Sequence, residues 1–204
     1  CEPALSAFAT AGHLLITPRA GVSGIQHGGA TTARTYALTC GSASVPLVQP
    51  ASVASHADTT FAMVADAGRW YRMTVERGAI VFGTTDGVPA QTTATYDPVQ
   101  GRYLRIRHDC VADQIRFETS PDATAWTTRR SIPAPVALSS ASVALEAGTY
   151  QAEAAPGQAI FDDLHVAVTG VRDRFDAQRD PEVFTPASLH EGGYDPEMEV
   201  FTGG

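Results

Sequence analysis

Apolar and polar residues alternate with a period of two along most of this chain. The clearest case lies at residues 102–120, where Leu104, Ile106 and His108 share one face and Tyr103, Arg105, Arg107 and Asp109 the other. After a short polar turn, Ile115 and Phe117 alternate with Gln114, Arg116 and Glu118. Alternation between turn residues marks an antiparallel hairpin with apolar side chains inward and charged ones outward, and it makes His108 an inward-facing core histidine. The same pattern predicts strands at 13–17, 22–26, 42–48, 60–66, 69–77, 79–84, 92–96, 126–131, 142–146, 150–153 and 159–168. Turns fall at Ala67-Gly68, Asp86-Gly87 and Pro156-Gly157, and no segment carries a helical period. Short antiparallel strands bury one face each by stacking as two sheets, so the expected fold is an all-β, two-sheet antiparallel β-sandwich.

The order of residues in RYLRIRHD, then RFETSPDATAW, resembles the concanavalin A-like lectin/glucanase jelly roll in its bacterial laminin-G-like branch. Upstream, Phe61-Ala62-Met63-Val64 leads through Asp66-Ala67-Gly68 into Arg69-Trp70-Tyr71-Arg72-Met73, which is similar to that family's strand, tight turn and following strand. Residues 142–150 and 159–166 are similar to its closing strands. The resemblance implies a jelly roll over residues 1–169 and leaves 170–204 as an extended C-terminal tail. Relatives open on an acidic, aromatic strand that residues 2–10 do not reproduce, so a sheet edge is expected to be uncovered. One fold hosts many activities, so the resemblance speaks for architecture first.

A chain of 204 residues fits one domain with a sizeable core, and no stretch approaches a membrane-spanning apolar helix. A net charge of −8 argues against nucleic acid as a partner. The chain has no lysine and no asparagine, as a GC-rich genome would produce. Without asparagine there is no N-glycosylation sequon, nor the asparagine with which legume-type lectins hold calcium and sugar.

The three cysteines, at positions 1, 40 and 110, have no metal-ligand spacing and point to an extracellular or outer-surface setting. A disulfide between Cys40 and Cys110 would staple the sandwich. A chain that opens on Cys1 has the form of a processed lipoprotein, which makes Cys1 a candidate for lipidation.

The tail holds a small repeat, Asp180-Pro181-Glu182-Val183-Phe184-Thr185 and Asp195-Pro196-Glu197-Met198-Glu199-Val200-Phe201-Thr202. Proline disfavours helix in the residue before it, while Val, Phe and Thr favour extended chain. The repeat makes Val183, Phe184, Val200 and Phe201 candidates for assembly, the tail adding as a strand to an uncovered edge of a neighbouring copy.

The motifs of catalysis are not found. The glucanase pattern E-x-D-x-x-E is missing, Asp162 and Asp163 as strand neighbours are expected on opposite faces, and the six histidines show no ligand spacing. No enzyme activity and no cofactor are expected. Calcium at a rim is a lesser option through Asp66, Asp86 or Asp122, though turn aspartates ordinarily serve local hydrogen bonds. Exposed aromatic and polar side chains are what a sugar site needs, and Trp70, Tyr103, Arg105 and Arg107 are the candidates; the competing expectation is cross-strand pairing on a solvated face. The leading functional expectation is a non-catalytic subunit that self-assembles at the cell surface as a homo-oligomer or polymer. The alternative is a lectin-like carbohydrate-binding module, lipid-anchored at Cys1, and a glycoside hydrolase is the most distant reading.

Overall fold

The computed structural model describes residues 5–10, 12–54, 56–86, 89–167, 171–173, 184–190 and 193–195, with the backbone alone for 5–10, 89 and the strands beyond 167. In chain order the strands are β1 (Leu5–Thr10), β2 (His13–Pro18), β3 (Gln26–Thr32), β4 (Ser42–Gln49), β5 (Ala57–Asp66) and β6 (Arg69–Glu76). They continue with β7 (Ala79–Asp86), β8 (Pro89–Thr95), β9 (Tyr103–Asp109), β10 (Gln114–Ser120), β11 (Thr127–Pro133) and β12 (Ser142–Thr149). The last are β13 (Ala159–Asp162), β14 (Leu164–Val166), β15 (Val171–Asp173), β16 (Phe184–His190) and β17 (Gly193–Asp195). All pairings are antiparallel and form two sheets. The first runs β1-β2-β13-β4-β9-β10-β11, with β14 also on β4, and the second β17-β16-β3-β12-β5-β6-β7-β8.

The core lies between the sheets and is filled by the inward set of each strand. Leu104, Ile106, Ile115 and Phe117 of the first sheet meet Phe61, Met63, Tyr71, Met73 and Phe82 of the second, all buried. Phe117 stands 5.8 Å from Phe82 and 6.5 Å from Tyr71, ring to ring. The Tyr71 hydroxyl donates to the Val136 carbonyl (2.9 Å) and accepts the Val136 N–H (2.7 Å), and burial raises its pKa to about 12. One tyrosine thus satisfies both backbone groups of a buried residue.

The strand at 22–26 forms later, at Gln26–Thr32, because its pairing rests on glycine rather than on apolar alternation. A Cβ on Gly29 would lie 2.0 Å from the Leu145 carbonyl oxygen, so β3 approaches β12 as only glycine permits. Gly148 stands between His27 and Asp58 in the register of β3, β12 and β5. With no side chain there, His27 reaches across β12 and its Nε2 lies 2.6 Å from the Asp58 carboxylate, both residues buried. Residues 150–153 form no strand but a bend beyond β12.

Three further expectations are corrected. The expected strand at 159–168 is broken at Asp163, whose φ of 39° is left-handed, into β13 and β14. His108 is half-buried at the hairpin end rather than in the core: its Nδ1 accepts the Cys40 N–H (3.3 Å) and its Nε2 meets the Asp113 carboxylate at 3.2 Å. Residues 5–10 do form a strand, which covers β2 and becomes the edge of the first sheet.

Among the described residues the tail holds the strands β15, β16 and β17. β15 pairs with β14, and β16 pairs with β3 of its own chain, Phe184 opposite Thr32. Val183, Val200 and Phe201, like Cys1, lie outside the described residues.

Candidate functional site

A cleft of about 460 Å³ opens on the outer face of the first sheet. Strand alternation builds its floor: Ser44 of β4 stands opposite Arg105 of β9, Pro46 opposite Tyr103, and His165 of β14 opposite Ser44. One wall is the turn after β10. The Asp122 carboxylate accepts N–H groups from Ala125 (3.0 Å) and Thr124 (2.8 Å) and the Ser120 hydroxyl (3.0 Å), which hold its pKa well below the usual carboxylate range. That knot leaves Ala123 with a φ of 62° and folds Trp126 back, its Nε1–H donating to the Ala123 carbonyl at 3.0 Å.

Arg105 stacks on the Trp126 ring, its Cζ 3.8 Å from the centroid, and its Nε donates to Glu118 at 2.7 Å. Burial pulls the Arg105 pKa down and Glu118 opposes that effect. A guanidinium held on both sides in this way fixes the indole at a set height above the sheet. Asp162 and Asp163 form the opposite wall with His165. They were expected on opposite faces; the left-handed backbone at Asp163 instead lets both line one cleft.

Of the four residues expected to bind sugar, the structure brings Tyr103 and Arg105 together here. Arg107 lies next along β9 but outside the cleft, bonded to Glu118 (3.3 Å) and near Asp109 (3.9 Å), which Arg116 also engages at 2.5 Å. Trp70 does not belong to the site. It sits on β6 in the other sheet, 1% exposed, packed with Ala62, Val64 and Ala144 and covered by Arg72 at 4.4 Å. Alternation placed Trp70 on the correct side of its strand, but β5 and β6 are buried on both faces. Trp126, Asp162, Asp163 and His165 complete the cleft, and what joins them is strand order, which periodicity does not report.

Two of the turn aspartates serve their own loops: Asp122 as above, and Asp66, which accepts the Gly68 N–H at 3.0 Å and pairs with Arg69. Among the described residues no group of three or more His, Cys, Asp or Glu is placed to hold a metal ion. A disulfide joins Cys40 to Cys110, Cα atoms 4.9 Å apart, with both residues exposed.

No family model matches the chain, and no curated protein is similar to it in sequence. Solved structures are similar in shape. A functionally unknown protein from Saccharomyces cerevisiae superposes with a TM-score of 0.54 at 18% identity, over 81% of this chain and 92% of that one. A legume lectin-like domain from Entamoeba histolytica superposes with a TM-score of 0.56 at 12% identity, over 79% and 87%. The fold is a two-sheet antiparallel β-sandwich, similar in architecture to that lectin-like domain. At these identities the likeness concerns architecture, and the chemistry has to be read from the cleft itself.

Proposed function

We propose that this protein is a non-catalytic carbohydrate-binding module that takes a saccharide in the cleft over Tyr103, Arg105 and Trp126. The observation that carries the reading is the indole of Trp126, half-exposed and braced by Arg105 at 3.8 Å, beside Tyr103 and the polar wall of Asp162, Asp163 and His165. A rigid aromatic plane gives sugar C–H faces a platform, and fixed carboxylates and hydroxyls accept and donate to its ring hydroxyls without further ordering. Likeness in shape to a legume lectin-like domain is in keeping with this. The exposed disulfide supports an oxidising, extracellular setting. A glycan array followed by calorimetry tests the reading. Trp126→Ala is expected to weaken the best glycan by about tenfold or more, since a central aromatic anchor carries a large share of binding. Binding unchanged in that variant would remove the cleft from consideration.

Self-assembly through the tail is the second reading, favoured by the pairing of β16 with β3. A segment that adds as a strand within its own chain has the chemistry to add to β3 of a neighbour. Light scattering on the full chain and on one ending at Gly170 separates the cases. Polymers lost on truncation support assembly, and monomers from both chains rule it out.

A further inference from the structure

The outer face of the second sheet carries a different arrangement. Alternation along β6 puts Trp70, Arg72, Thr74 and Glu76 on the side away from the core. In register, Arg72 stands between Ala62 and Gly83, and Gln91 of β8 lies beyond Gly83. Gly83 has no backbone need to be glycine, since its φ is not left-handed. A Cβ there would lie 3.2 Å from Cζ3 of Trp70 and 3.3 and 3.4 Å from Cγ and Nε of Arg72. The missing side chain gives Trp70 and Arg72 room to lie flat on the sheet, with the Arg72 Cζ 4.4 Å from the indole centroid.

Arg72 is half-buried, and its Nε is shut away from water with no acceptor. Among the described residues it is the half-buried arginine whose guanidinium meets neither a carboxylate nor a hydrogen-bond acceptor. Taking a guanidinium partly out of water without an anion is unfavourable, and stacking on one aromatic face offsets only part of it. The residue also lines a cleft of about 350 Å³ with Thr74, Glu76, Gln91 and Tyr150, where the Tyr150 hydroxyl donates to Glu76 at 3.0 Å. Burial and the nearby carboxylates Asp58 and Glu76 raise the Tyr150 pKa, so this phenol stays a donor.

We propose that this cleft is a second saccharide site, selective for sugars bearing a carboxylate, that is, uronic acid units. Arg72 takes the carboxylate, for which its planar fork is matched in shape, and Gln91 and the Tyr150–Glu76 pair take ring hydroxyls. The Glu76 carboxylate in the same cleft disfavours a dianion such as phosphate. The site lies on the sheet opposite the Tyr103–Trp126 cleft and stands or falls separately from it.

The test is calorimetry on the full chain with trimers of galacturonate, glucuronate and guluronate, each beside its neutral methyl ester and a sulfated neutral trisaccharide. At least one acid is expected to bind about tenfold or more tightly than its ester, as loss of a charge-assisted hydrogen bond implies. Arg72→Gln should abolish that preference, Arg72→Lys should restore only part of it, and Trp126→Ala should leave it intact. Gln91→Glu, at an exposed position, should repel the acids while the protein melts as wild type; it decides the matter if Arg72→Gln does not fold. No binding by any acid, equal binding of acid and ester, a sulfated sugar bound as tightly as the acids, or a preference that survives Arg72→Gln or Gln91→Glu would overturn the proposal.

Discussion

Replacing Cys40 and Cys110 together by serine is expected to lower the unfolding free energy by roughly 4 kcal/mol. The bond spans 70 residues of sequence, from the entry to β4 to the turn after β9, and so closes a long loop in the unfolded chain. The two strands it joins are already paired, Ser42 opposite Arg107, so the native state changes little when the bond is removed. The effect therefore comes mainly from the freed unfolded ensemble, and for a domain of this size it amounts to a fall in Tm of about 10 °C. Guanidinium unfolding with and without reductant checks it. Wild type and double variant should separate in oxidising buffer and coincide under reduction; coincidence in both would show that the bond contributes nothing.

Glu118→Ala is expected to cost about 3 kcal/mol, toward the lower end for breaking a buried ion pair, because Arg105 and Arg107 are 21% and 31% exposed and can turn to water. Glu118 is itself 4% exposed and also accepts the Thr128 hydroxyl at 3.2 Å. Burial pushes its pKa up, but hydrogen bonds from Arg107 and Arg105 outweigh that and hold it below its ordinary 4.5. A depressed folded-state pKa means that this stabilisation is fully present above 4.5 and is lost as pH falls through the lower folded value. Urea unfolding from pH 7 down to acid should show a loss in wild type that Glu118→Gln does not show in that window. An identical pH profile for the two would mean that the carboxylate is not held as described. The same variant loosens Arg105 beneath Trp126, so stability and glycan affinity should fall together.

The hairpin of β9 and β10 was legible almost residue by residue, because one face packs on Phe82 and Tyr71 and the other meets solvent, the condition under which alternation reports structure. Where both faces are covered, as at Trp70, alternation names a face without saying what lies against it. β3 lies later in the chain than alternation predicts because Gly28, Gly29 and Thr31 carry no hydrophobic signal; what fixes them is the close approach to β12. Two residues of the candidate cleft, Tyr103 and Arg105, followed from one strand. The rest depends on a turn knotted by Asp122 and on a left-handed backbone at Asp163, neither of which leaves a periodic trace.

The peripheral strands and the disulfide together set the order in which the sandwich opens. Among the described residues β1 is hydrogen-bonded to β2 alone, and β16 reaches the body of the second sheet through β3. Both attachments are antiparallel ladders at the periphery of their sheets, β1 at the edge of the first and β16 one strand in from the edge of the second. Fraying from the N-terminal side that ran as far as β4 would be halted at Cys40, whose bond to Cys110 anchors the centre of the first sheet. Peripheral pairing can thus be lost while the covalently locked centre of the first sheet stays closed.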